Sequence, residues 1–212
     1  METKTVKLRT LCTCVSALIV VELAVAALGL NGRFNQLYLL GAARVLEVVM
    51  IAGTVYLLEH GLSCIGLEES TLLKGLKRGL LWSAGFGGAA LLLYFVMPLF
   101  GMSLMRFIRS SLPTEGLARF LLLGAVIGPI AEELFFRGVV FGYFRRWGVM
   151  AAVIVSTVLF ALAHSASGGV GVPQIIGGIV FAVAYELEGS LMVPVTIHVL
   201  GNSAIFGLSI LL

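Results

Sequence analysis

The chain has 212 residues, 59% hydrophobic and only 12% charged, with a mean hydropathy of +1.08. A soluble domain is about a quarter charged, and so large an apolar surplus exceeds what a core of this size can bury, which makes lipid the second solvent. The net charge of +3 is small and scattered, which excludes a nucleic-acid footprint.

These properties predict one domain over residues 1–212, an all-α polytopic transmembrane helical bundle. No linker, internal repeat or low-complexity tract divides it. Cys12, Cys14 and Cys64 give neither C-x-x-C nor a metal spacing. Spanning backbone must satisfy its own hydrogen bonds, so apolar runs of about 20 residues are read as helices. The first, 10–29, follows Lys4, Lys7 and Arg9 in the manner of a signal peptide. Its length and the interruption by Glu22 favour a retained helix. Further spans are expected at 40–58, 80–100, 119–143, 149–165, 172–187 and 190–211, about seven in all with six to eight acceptable.

Between them, residues 59–79 carry Glu68, Glu69, Lys74, Lys77 and Arg78 and are expected to lie on the membrane surface as an amphipathic helix. Residues 101–118 read similarly, with Thr114 a candidate N-cap in "PTEG". With the N-terminus inside, eight basic residues (Lys4, Lys7, Arg9, Lys74, Lys77, Arg78, Arg145, Arg146) collect on one side. Five (Arg33, Arg44, Arg106, Arg109, Arg119) collect on the other. The positive-inside bias therefore favours a cytoplasmic N-terminus.

A charged residue at the bilayer centre costs about 2.5–3.5 kcal/mol. "GPIAEELFFRGVVFGYFRRW" nevertheless places Glu132, Glu133 and Arg137 inside an apolar run. Glu133 and Arg137, four apart, are about 40° from each other around a helix and can pair; Glu132 lies about 100° from Glu133 and is free for chemistry. Pro129 removes an N–H just before the cluster and is expected to kink the helix. His60 reads as a surface residue. His164 ends "STVLFALAHS", four residues after Phe160. His198 and Asn202 share a face of the last span. Glu22 is expected to hydrogen-bond another span and Glu47 to pair with Arg44. Glu186 and Glu188 are expected to be solvated. The aromatics Phe135, Phe136, Phe141, Tyr143, Phe144 and Trp147 read as lipid packing and interface belt.

Three blocks in order, E-E-x-x-x-R (Glu132, Glu133, Arg137), F-x-x-x-H (Phe160, His164) and H-x-x-x-N (His198, Asn202), resemble the CPBP family of CAAX- and bacteriocin-processing intramembrane proteases, which includes the Rce1-type endopeptidases. The resemblance covers about residues 119–205, the expected catalytic core, and leaves 1–118 as accessory helices. It implies an integral membrane protein, in the plasma membrane of a prokaryotic cell. Its substrate would be a membrane-anchored or lipidated protein or peptide: a prenylated CAAX protein, a leader peptide or a C-terminal sorting signal.

The residues themselves allow water-based peptide hydrolysis, since no serine or cysteine nucleophile accompanies the cluster. Low dielectric makes a carboxylate a stronger base. The expected roles are Glu132 as base, His164 holding the water, and His198 with Asn202 as oxyanion donors. Glu133, Arg137 and Phe160 support them. No cofactor is the preferred reading. A zinc ion held by Glu132, His164 and His198 is the alternative, set against the absence of H-E-x-x-H and the nearby Arg137. Two other readings stand beside it: a non-catalytic immunity or scaffold relative, and a transporter, which would need repeats or broken helices that the sequence lacks.

Overall fold

The computed structural model describes residues 5–105, 112, 116–164 and 171–211. Among them the fold is all-helical, with seven helices and no strands. They are α1 (Leu8–Leu30), α2 (Gln36–Glu59), α3 (Glu69–Val96), α4 (117–147), α5 (Val149–His164), α6 (Val172–Glu188) and α7 (Met192–Leu211). Arg106, Arg109 and Thr114 lie outside the described residues; α4 itself starts behind Gly116, whose φ of +69° is a left-handed turn that glycine adopts without cost.

The expected surface helix at 59–79 is not a separate element. A single turn of 3-10 helix, Ser63–Ile65, is followed by α3, which runs 28 residues without a break from the charged segment into the apolar one. Charge was the wrong divider there. Lys74, Lys77 and Arg78 are exposed, while the neighbouring Gly75 and Gly79 are buried and let α3 lie against α7. A Cβ at Gly79 would fall 2.6 Å from Cβ of Thr196, and one at Gly75 would fall 2.9 Å from Cβ of Met192. Small residues at such crossings are the usual means of helix association in lipid.

Among the described residues, four helical segments are long and apolar enough to cross a membrane: Leu8–Leu30, Gln36–Glu59, Ser63–Phe100 and Met192–Leu211. The seven full spans expected from sequence are thus not all of one kind. At 16 and 17 residues, α5 and α6 reach only about 24–26 Å, short of the ~30 Å hydrocarbon thickness. The long α4 fails by composition, because it carries the charged cluster.

One end of the bundle gathers the start of α1, the ends of α2, α4 and α6, and the starts of α3 and α7. Val6 N–H donates to Gly142 O, Arg146 to Val6 O, Lys7 N–H to Glu59, and Leu191 N–H to Gly66 O. Glu186 and Glu188, expected to be solvated, are paired here instead: Glu186 takes two hydrogen bonds from Arg145 (2.8 and 2.6 Å), and Glu188 takes one each from Arg78 (2.8 Å) and Trp82 (3.0 Å). Basic residues grouped by the sequence on one side, from Lys7 to Arg146, do meet at this end. Phe136 and Phe141 are core rather than belt, each at most 7% exposed, whereas Trp147 is 60% exposed. Midway along the α1–α2 hairpin, Arg44 joins Glu47 (2.5 Å) to Glu22 (2.8 Å).

Valine at Gly79 should cost about 1–3 kcal/mol by overpacking the α3–α7 crossing. Gly53→Val, where a Cβ meets nothing within 4 Å, should be near neutral. Equilibrium unfolding in mixed detergent micelles compares the two.

Candidate active site

The site is built on a distortion of α4. Residues 123–127 and 134–141 of this helix have the wide π winding, on either side of a short α-helical segment Gly128–Glu133. π-bulges of this kind concentrate at functional sites. In the first bulge Gly128 N–H bonds Leu123 O, five residues back. The next bond in that register would run from residue 129 to Gly124 O, but Pro129 has no N–H to give. Asn202 supplies the missing donor from α7: its Nδ2 lies 2.9 Å from Gly124 O. The expected kink at Pro129 is therefore a local rewinding, stitched to a second helix.

One turn further on, the two adjacent glutamates separate as their 100° offset requires. Glu133 is fully buried, and its Oε1 accepts hydrogen bonds from Arg137 Nη1 (2.9 Å) and from His198 Nδ1 (2.8 Å). Arg137, also fully buried, reaches Gly178 O on α6 through Nη2 (3.2 Å). Its guanidinium carbon sits over three rings, 4.6 Å from the centroid of Phe160, 5.2 Å from Phe181 and 6.0 Å from Phe136. A cation–π contact out of water adds up to about 2 kcal/mol. Phe181 also stacks on His198, with centroids 4.7 Å apart and planes 26° from parallel.

Glu132 points the other way and keeps some exposure, 22% of its side chain. Its Oε2 lies 3.6 Å from His164 Nε2 and 3.8 Å from His198 Nε2. That oxygen is buried and has no hydrogen-bond partner among the described residues. Both histidine tautomers are fixed by what their other nitrogen meets. His164 Nδ1 is 2.9 Å from Phe160 O, an acceptor, so Nδ1 carries the hydrogen. His198 Nδ1 meets the arginine-paired Glu133 carboxylate, again an acceptor. In a neutral ring each Nε2 then turns a lone pair toward Glu132.

Of the predicted residues, Glu132, His164 and His198 thus converge, and Glu133, Arg137 and Phe160 support them. Asn202 is committed to Gly124 O rather than turned on Glu132. Sequence reasoning did not single out Phe181, Gly178 or Gly124. Pro129 was the one available signal for Gly124, since a proline at that register orphans a carbonyl.

Among the described residues no group of three or more His, Cys, Asp or Glu side chains is arranged to hold a metal.

Breaking the buried pair on one side leaves an uncompensated charge, at about 3–5 kcal/mol. Arg137→Leu should lose that much in equilibrium unfolding. Adding Glu133→Gln should recover part of it, a non-additivity of about 0.5–3 kcal/mol that partners in one network display.

Residues 114–204 match the family model described as type II CAAX prenyl endopeptidase Rce1-like. No curated protein and no solved structure matches the chain. The matched stretch is less than half of the sequence, yet it runs through α4 to α7 and holds every residue of the cluster just described. Over these residues the chain matches the Rce1-like family model, and it carries there the three motifs by which it resembles the CPBP group.

Proposed function

We propose that the chain is an intramembrane endopeptidase in which Glu132 activates a water molecule, and that its substrate is a lipid-anchored protein of the CAAX type. The observation carrying this reading is the Glu132 Oε2 atom, buried between two imidazole Nε2 atoms at 3.6 and 3.8 Å. Those separations are too long for direct hydrogen bonds and suit a water between. Glu132 Oε2 and His164 Nε2 are acceptors facing one point, and both call for hydrogens. A water donating one to Glu132 and one to a histidine leaves its lone pairs facing outward, toward a carbonyl carbon.

As the water oxygen attacks, Glu132 takes its proton and the carbonyl oxygen becomes an oxyanion. His198 presents a donor at Nε2 only when its ring holds both protons. In that state Glu132, Glu133, Arg137 and His198 sum to zero charge, the arrangement a low-dielectric site favours. His198 then serves the oxyanion while Glu133 and Phe181 hold the ring in place. Collapse of the tetrahedral intermediate breaks the C–N bond, and Glu132 returns its proton to the leaving amine. His164 orients the water, and Asn202 is a positioning residue that holds α7 to the rewound segment of α4. No step requires a metal.

The match to the Rce1-like family model supports a peptidase, with prenylated proteins as the corresponding substrate class. Full-length protein in phosphatidylcholine vesicles with an internally quenched, farnesylated CAAX-type peptide tests the proposal. Wild type should cleave, and Glu132→Gln should lower kcat by about 10²–10⁴ with unfolding unchanged. Chelation should leave the rate unaltered. Chelator loss with zinc rescue would move the base role to a metal, and no cleavage by wild type would favour a scaffold relative.

Asn202 and His198 should separate by degree. His198→Ala should cost about 10²–10³ in kcat, the value of an oxyanion donor. Asn202→Ala should cost about tenfold or less and lower the unfolding free energy by about 1–3 kcal/mol, the penalty of an orphaned buried carbonyl.

A further inference from the structure

The ion pair of α4 is not the only charged group at lipid depth. Midway along the α1–α2 hairpin stand two carboxylates and one cation, Glu22, Glu47 and Arg44. Arg44 serves both acids: Nη1 donates to Glu47 Oε2 (2.5 Å) and Nη2 to Glu22 Oε1 (2.8 Å). With both acids ionised, one negative charge is left over, and lipid strongly disfavours a charge that is neither paired nor neutralised. Glu47 shows where the surplus sits. Its side chain is 1% exposed, and its Oε1 is buried with no hydrogen-bond partner among the described residues. The Glu22 carboxyl, on the facing helix, comes within hydrogen-bonding reach of Glu47. Two ionised carboxylates are both acceptors, so such a meeting needs a hydrogen between them. Among the described residues the charged groups acting on Glu47 are Arg44 from its own helix and Glu22 from α1; α4, also packed on α2, brings none.

A cavity approaches this cluster from one end of the bundle. It has a volume of about 1010 Å³ and lies between the end of α1, the start of α2 and the start of α4, where Val25, Ala26, Gly29, Leu37, Leu40 and Phe120 are among its walls. Glu22 comes four residues before Ala26, and Arg44 four after Leu40. Both therefore stand one helical turn beyond the lining, on the same helix faces. Glu22 keeps 51% exposure. The turn between α1 and α2, with Asn31, Arg33 and Asn35, puts the mouth at the aqueous end of the two helices.

We propose that Glu22 and Glu47 form a proton-binding dyad, in which an O–H on one carboxyl donates to an oxygen of the other and the proton exchanges with water through this cavity. Two acids, one guanidinium and one proton make the cluster neutral. Adjacent carboxylates that cannot both ionise share a proton in this way. The dyad stands apart from the Glu132 cluster and does not rest on the activity proposed for it. It makes one helix contact proton-dependent. α1 packs chiefly on α2, so removing the proton sets two carboxylates against each other in the middle of that contact.

Infrared difference spectra of the full chain in phosphatidylcholine vesicles test this, because a protonated carboxyl and a carboxylate absorb apart. At neutral pH the wild type and Glu132→Gln should both show a protonated carboxyl. That band should be lost in Glu22→Gln and equally in Glu47→Gln, since either variant leaves one carboxylate satisfied by Arg44. In deuterium oxide the band should shift. Ala26→Phe, which fills the cavity one turn from Glu22, should slow the shift several-fold, and Ala24→Phe, exposed and outside the cavity, should not. Raising the pH until the band disappears should destabilise the wild type to unfolding more than Glu22→Gln, which has no second carboxylate to repel. Absence of the band from the wild type, its survival in either glutamine variant, or its displacement by sodium but not by choline at equal ionic strength would overturn the dyad. Equal exchange in the two phenylalanine variants would overturn the route. An equal alkaline response of wild type and Glu22→Gln would overturn the proton's part in holding α1.

Discussion

Everything near the site depends on one oxygen, Glu133 Oε1, which accepts from Arg137 at 2.9 Å and from His198 at 2.8 Å. Two helices are tied there by charge in a region where lipid offers no compensation. The guanidinium carries the tie to a third helix through Gly178 O, and three aromatic rings close over it. A buried ion pair of this kind contributes little net stability compared with apolar packing, and its best-attested use is to fix register. Here the register matters because it sets the ring of His198. With Nδ1 fixed on Glu133, Nε2 has only one direction left, toward Glu132.

A second tie comes from an irregularity. A regular α4 would keep the Gly124 carbonyl within its own helix, and Asn202 would have nothing to hold. Pro129 and the π winding before it free that carbonyl, and the amide from α7 meets it at 2.9 Å. The helix bearing both glutamates is therefore joined to α7 twice, at Gly124–Asn202 and at Glu133–His198. The two partners on α7 are four residues apart, the spacing that puts them on one face. The spacing H-x-x-x-N is explained by two different acceptors on α4 and not by a common target.

The sequence made the helical class legible through its hydropathy and the Glu133–Arg137 pair through its four-residue spacing. His164 and His198 were legible as candidates because intramembrane imidazoles are rare. Periodicity reports only which residues share a face of one helix, so it could not show that His198 belongs to Glu133 on one nitrogen and faces Glu132 on the other. It assigned Asn202 to the reacting centre for the same reason. The continuity of α3 was hidden because Lys74, Lys77 and Arg78 suggested a boundary, although Gly75 and Gly79 already kept a helical face clear for α7. Glu186 and Glu188 read as solvated because their partners, Arg145 and Arg78, are 41 and 110 residues away in the chain.

The proposed hydrolysis needs water at a depth where lipid excludes it, and the exposure of the cluster bears on that need. α5 ends at His164, and this last residue is the one that touches Glu132 from that side. By the rise of a helix, Glu132 is about 22 Å from either end of α4, so His164 meets the middle of that helix. The side chains of Glu132 and His164 keep 22% and 30% exposure, while Glu133 keeps none and His198 only 5%. The cluster is accordingly graded from a wet edge to a dry interior. Under the proposed mechanism the groups that exchange a proton or meet a water stand at the edge, and the charges that orient them stand where solvent does not reach.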